Sequence, residues 1–154
     1  MLYLDSSALA KRYLMEAGST AVDSRLSSEE KILTSVITFA EIHAAVARKY
    51  RSRELNHAMS RKIREQFARD WHRMQILEAD LGTMAGVPQL VDRFPLRAAD
   101  AIHLATALWA REQFAMPPSA GTPEELFEFG AADLQLIRIA EQCGLSVFNP
   151  EKAD

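Results

Sequence analysis

The feature that most constrains this chain is a repeated local pattern. Short apolar runs give way, within a few residues, to segments with helical spacing. Met1-Leu2-Tyr3-Leu4 is followed by Asp5-Ser6-Ser7 and then by Ala8–Leu14. Lys31–Thr34 is followed by Val36–Arg51, in which Val36, Phe39, Ile42 and Val46 recur at steps of three and four. The spacing predicts a strand, a tight turn with capping side chains and a helix in each case. The same reading gives a long helix over Leu55–Met74, with Met59, Ile63, Phe67 and Trp71 as a packing stripe, and a strand at Gln75–Glu78. It gives helices over Leu81–Val91 and Leu96–Gln113, and strands at Leu126–Phe129 and Leu145–Phe148. Between the last two strands lies a helix over Asp133–Cys143, with Gly144 as its C-terminal cap. Strands alternating with helices predict an α/β fold, a three-layer sandwich with a mostly parallel central sheet and helices on both faces.

A chain of 154 residues suits a single domain over 1–154 with one hydrophobic core. Residues 48–73 hold nine Lys and Arg against three acids, whereas residues 100–154 hold nine acids against three bases. That asymmetry suits a polyanion-binding edge, or simply a solvated helical face. The single cysteine, Cys143, excludes an internal disulfide and a thiolate metal cluster. The N-terminus lacks a basic leader region, and no apolar run is long enough to span a bilayer, so the expected location is cytoplasmic. The three prolines and one glycine within Met116–Pro123 mark a loop.

Four acids stand at junctions where surface charge is a poor explanation. Asp5 ends the first strand, Glu41 and Asp100 fall in early helical turns, and Asp133 follows the Leu126–Phe129 strand. In parallel sheets, ligands bind beyond the carboxyl ends of the strands. Carboxylates gathered there repel unless a cation neutralises them or some carry protons. An all-oxygen set suits Mg²⁺ or Mn²⁺. Such an ion beside a basic surface points to phosphodiester hydrolysis. Each acid also has a local alternative. Asp5 and Asp133 suit helix caps, Glu41 suits an exposed helix face, and Asp100 suits a helix N-terminus on dipole grounds. Ser6 or Ser7 is placed to bond Asp5, a metal water or a phosphate, or to cap the helix. Arg48 lies two turns after Glu41 on the same face, and His103 lies one turn after Asp100, where a packing role is expected.

These segments carry a family resemblance. Leu2-Tyr3-Leu4-Asp5-Ser6-Ser7-Ala8-Leu9-Ala10-Lys11 resembles the opening of a PIN-domain ribonuclease of the VapC toxin type. Thr34-Ser35 through Phe39-Ala40-Glu41-Ile42, with Arg48, is similar to that family's second motif. Leu96-Arg97-Ala98-Ala99-Asp100-Ala101-Ile102-His103-Leu104-Ala105-Thr106-Ala107 is the strongest match. Ala131-Ala132-Asp133 through Asn149-Pro150 resembles the family's ending. The resemblance implies a single PIN-like domain and an endoribonuclease dependent on Mg²⁺ or Mn²⁺ that hydrolyses RNA through metal-activated water. It implies Asp5, Glu41, Asp100 and Asp133 as catalytic, metal-binding acids, with Ser6, Ser7 and Arg48 in support. It also implies a VapB-type antitoxin partner, a homodimer and no membrane association. Asp100 and Asp133 are further apart than the pattern expects, which places a loop insertion near 115–125. Two other functions suit parts of the same pattern. One is a non-catalytic PIN-fold binding protein. The other is an aspartyl-phosphate phosphatase, which would want an acid where Ser7 stands and a lysine near Asp133.

Overall fold

The computed structural model describes residues 1–28, 31–114 and 126–152. The expected 115–125 insertion lies outside the described residues. Five short strands form one parallel sheet: β1 (Leu2–Leu4), β2 (Ile32–Ser35), β3 (Gln75–Leu77), β4 (Glu128–Gly130) and β5 (Ser146–Phe148). Their order is β3-β2-β1-β4-β5. β1 is therefore central, and the chain changes direction of travel across the sheet between β1 and β4. That point is the topological switch, where a ligand crevice opens beyond the strand ends.

The helices are α1 (Ser6–Leu14), α2 (Ser19–Ser28), α3 (Ile37–Arg51), α4 (His57–Trp71), α5 (Val87–Arg93), α6 (Ala98–Phe114) and α7 (Leu134–Gln142). Strand side chains alternate between faces, and both faces here are dry. Tyr3, Leu33 and Phe129 point into a core shared with Leu90, Leu104, Ala107, Leu136 and Ile139 of α5–α7. Leu2, Leu4, Ile32 and Phe148 point the other way, against Leu9, Val22, Ile42 and Phe67 of α1–α4. The result is the expected α/β three-layer sandwich, with two cores rather than one. Among the described residues, no helix is long and apolar enough to cross a membrane.

Three local expectations change. Phe39 does not share a buried face with Ile42 and Val46, being 46% exposed. Thr38 takes the inward position instead. Its hydroxyl bonds Thr34 Oγ1 at 2.7 Å, while Thr34 spends its own proton on the Leu4 carbonyl at 2.7 Å. Phe39 packs sideways on Phe67 and Trp71. In the α4 stripe, Phe67 is buried and Ile63 and Trp71 pack on the core, but Met59 is exposed. The helix expected over Leu81–Val91 starts only at Val87. Asp80 Oδ1 captures the Gly82 and Thr83 amides, each at 2.9 Å, and Thr83 Oγ1 donates to the Glu78 carbonyl, which makes a turn. Pro88 then sits in the first helical turn, where its missing N–H costs nothing. The α7 terminus follows the expected cap, with Gly144 at φ +79° and the Leu145 amide donating to the Ala140 carbonyl at 3.0 Å.

Candidate active site

Asp5 follows the last residue of β1 and is only 3% exposed. It is the N-cap of α1, with Oδ1 accepting from the Ala8 amide at 2.9 Å. Ser7 Oγ lies 2.8 Å and 3.0 Å from its two carboxylate oxygens and donates to them. The same Ser7 oxygen accepts from the Ala132 amide at 2.8 Å. One hydroxyl therefore joins the acid after β1 to the loop after β4. The junction is tight. Asp5 N–H donates to the Gly130 carbonyl at 2.9 Å, and a Cβ on Gly130 would fall 2.6 Å from Leu4 Cδ2. Burial pushes the Asp5 carboxyl above its usual range, against the opposing pull of His103, Ala8 and Ser7.

Glu41 projects from the second turn of α3, a helix fastened to the end of β1 through the Thr34–Thr38 pair. Its Oε2 lies 2.8 Å from Nε2 of His103. Burial pulls its carboxyl up, but the His103 contact, with help from Ser6, outweighs this and holds it below the usual range. Asp100 sits in the first turn of α6. Burial and then the charge of Asp133 raise its carboxyl, opposed by Arg97 and His103. Asp133 is exposed and caps α7, accepting from Gln135 and Leu136 amides at 2.8 Å and 3.1 Å.

The sheet thus carries all four acids to one edge. Asp5, Glu41 and Asp100 all feel His103, and Asp100 feels Asp133. They are neighbours rather than a closed cage: among the described residues, no three Asp, Glu, His or Cys side chains are placed to hold a metal. The donor chemistry itself, buried or half-buried carboxylate oxygen without thiolate, fits a hard divalent cation. The raised carboxyls of Asp5 and Asp100 are what such a cation would relieve.

Ser6, Ser7, Lys11, Glu41, Arg48, Lys49, Ala132 and Glu151 line one groove. Lys11, buried, is held by Glu151 at 2.7 Å, and Lys49 by Glu16 and Glu54 at 3.2 Å and 3.0 Å. Arg48 is exposed in the groove, on the face that carries Glu41. A separate cavity lies beside Arg12, Tyr13, Asp70 and Arg73 and contains none of the four acids. Of the nine basic residues in 48–73, three lie in the last turn of α3, four on α4 and two in the turns that follow these helices.

The residue missed by sequence reasoning is His103. A packing role is expected from its spacing, and it is 1% exposed, but both ring nitrogens are engaged. Nδ1 lies 3.0 Å from the Tyr3 hydroxyl. Two signals were available. His103 stands one turn after Asp100, and Tyr3 places a polar tip inside a fully buried strand, where it needs a partner.

Comparison with known proteins agrees with this geometry. The PIN domain family model matches residues 2–114, which include Asp5, Glu41, Asp100 and His103 but not Asp133. Ribonucleases VapC45 and VapC49 of Mycobacterium tuberculosis are each 30% identical over 112 residues, covering 70% of this chain and 75% of theirs. In fold, the chain is similar to FitAcB from Neisseria gonorrhoeae, with a TM-score of 0.67 at 21% identity over 99% of both chains. It is also similar to DNA-bound VapBC from Salmonella typhimurium, with a TM-score of 0.65 at 10% identity over 97% of both chains. With a parallel α/β sheet of this order and a family match that runs from the first strand to the end of α6, the chain belongs to the PIN domain family, among relatives of the VapC ribonucleases.

Proposed function

We propose that the protein is a divalent-metal-dependent endoribonuclease toxin held inactive by a cognate antitoxin. The observation that carries this reading is the buried Asp5 at the end of central strand β1 together with Glu41 hydrogen-bonded to His103, at the switch point and within the matched family region. Asp5, Glu41 and Asp100 would hold the cation, with Asp133 at the exposed rim. The chemistry that Mg²⁺ or Mn²⁺ supplies here is polarisation of a phosphoryl oxygen and activation of water. The chain's own residues do the rest. Ser7 fixes the Asp5 carboxylate against the β4–α7 loop. Arg48 offers a guanidinium to a phosphate along the groove. Hydrolysis adds water across the P–O3′ bond, leaving a 5′-phosphate and a 3′-hydroxyl that takes up a proton.

The partners in this reading are single-stranded RNA, a VapB-type antitoxin and a second copy of the toxin, in the cytoplasm. The solved relatives support the antitoxin, since they are toxin–antitoxin complexes. The test is RNA cleavage by Asp5→Asn and Asp100→Asn proteins with Mg²⁺ present. Both are expected to be inactive, and cleavage that survives either change sinks the proposal. One observation favours a second reading, a PIN-fold binding protein without catalysis: the acids do not already form a three-ligand group among the described residues. Calorimetry with Mn²⁺ separates the two, because that protein would give no binding heat.

A further inference from the structure

Tyr3 and His103 are the two large polar side chains buried directly beneath the acids. Tyr3 is 0% exposed in central strand β1 and stacks on Phe129 at 5.6 Å. Its hydroxyl meets Nδ1 of His103 at 3.0 Å, and Nε2 of His103 meets Glu41 Oε2 at 2.8 Å. Three elements distant in sequence thus form one continuous hydrogen-bonded row: β1, α6 and α3. For a neutral ring, only one arrangement satisfies both contacts. The tyrosine hydroxyl donates to Nδ1, and Nε2–H donates to the carboxylate. The reverse tautomer would set a nitrogen lone pair against an anion. A charged ring also donates from Nε2, so the bond to Glu41 is the same in either state.

Glu41 needs such a partner to be held in place. A helix-borne glutamate has three side-chain torsions and, half-exposed on α3, no backbone donor of its own. Asp5 and Asp133 are fixed by the amides they cap. Glu41 lacks that device and is held instead by the 2.8 Å hydrogen bond from His103, with Ser6 in a lesser role. His103 in turn is 1% exposed and engaged at both ring nitrogens, by Tyr3 and by the acid. We propose that His103, anchored by the Tyr3 hydroxyl, is a positioning residue that fixes Glu41 for cation binding. This rests on the nuclease reading above. His103 acts through Glu41 and takes no part in bond breaking.

The test is Mn²⁺ affinity by calorimetry on the full chain, alongside RNA cleavage and the unfolding midpoint. His103→Leu removes the donor and keeps an apolar filling. It is expected to weaken Mn²⁺ binding by about 10–100-fold, as loss of an orienting partner does at metal sites. His103→Gln places an amide donor near the Nε2 position and is expected to restore most of that loss, which a purely packing role would not do. Tyr3→Phe keeps the ring and removes the hydroxyl, and with it the anchor on His103 and the neighbouring Thr106 and Ser35 contacts, giving a smaller loss in the same direction. Where His103→Leu does not fold, Tyr3→Phe decides: reduced affinity supports the proposal and wild-type affinity overturns it. Binding by folded His103→Leu equal to wild type overturns it, as does a His103→Gln protein no better than His103→Leu. Failure of the nuclease reading looks different, because the wild type itself then neither binds Mn²⁺ nor cuts RNA, and this inference falls with it.

Discussion

Ser7 offers a sharp test of how the crevice is held together. Its hydroxyl donates to the buried Asp5 carboxylate and accepts from the Ala132 amide. A hydrogen bond to a charged group contributes about 1.5–3 kcal/mol, and the lost acceptor for Ala132 adds up to about 1 kcal/mol. Ser7→Ala is therefore expected to cost about 2.5 kcal/mol, which for a domain of this size is a fall in Tm of about 5–10 °C. In an Asp5→Asn background the same hydroxyl faces a neutral amide, and its bond is worth about 0.5–1.5 kcal/mol. The double-mutant cycle should then return a coupling of about 1–1.5 kcal/mol. The assay is urea unfolding of the four proteins at pH 7 in chelator, so that no cation contributes. If the two changes add to within about 0.5 kcal/mol, the serine is not bonded to a charged Asp5 and the reasoning is wrong.

Other expectations follow from the same geometry. Asp100 has a folded-state carboxyl raised above its ordinary value by burial and by Asp133. An acid of that kind binds protons more tightly folded than unfolded, so its contribution to stability falls as pH rises from the ordinary value through the raised one. In chelator, Asp100→Asn should be more stable than wild type at pH 7, with the gap closing in acid; a wild type that gains on the variant as pH rises refutes this. Gly130→Ala should cost about 1–3 kcal/mol by overpacking, since the new Cβ meets Leu4 Cδ2 at 2.6 Å and Phe148 Cδ1 at 3.2 Å. An unchanged denaturation midpoint would show that the β1–β4 contact yields freely. Arg48→Ala should weaken RNA binding and flatten the dependence of log affinity on log salt by about 0.7, the single-strand value for one phosphate contact. An unchanged slope removes Arg48 from the interface.

Local chemistry accounts for much that was legible beforehand. The strand–turn–helix unit at Leu2–Leu14 needs only an apolar run, a capping aspartate and helical spacing, and it forms with Asp5 as the cap. The Gly144 terminus of α7 is legible for the same reason, because a left-handed residue after a helix favours glycine. The Leu81–Val91 segment misled because Asp80, just outside it, bonds amides that a helix would have used. Phe39 misled because periodicity counts apolar residues and cannot foresee a paired threonine such as Thr38 facing inward.

By itself, the sequence determined the alternation of strands and helices and the placing of an acid at each of four element ends. Those properties depend on torsional preference, burial and capping within a few residues. Tertiary structure decided which ends meet. Setting β4 beside β1 joined Asp5 to the loop before Asp133 through Ser7, a contact spanning 125 residues. It also turned His103 from a packing residue into the link between Tyr3, 100 residues away, and Glu41, 62 residues away. Hydrogen bonds across such separations depend on strand order and layer packing, and no local pattern encodes them.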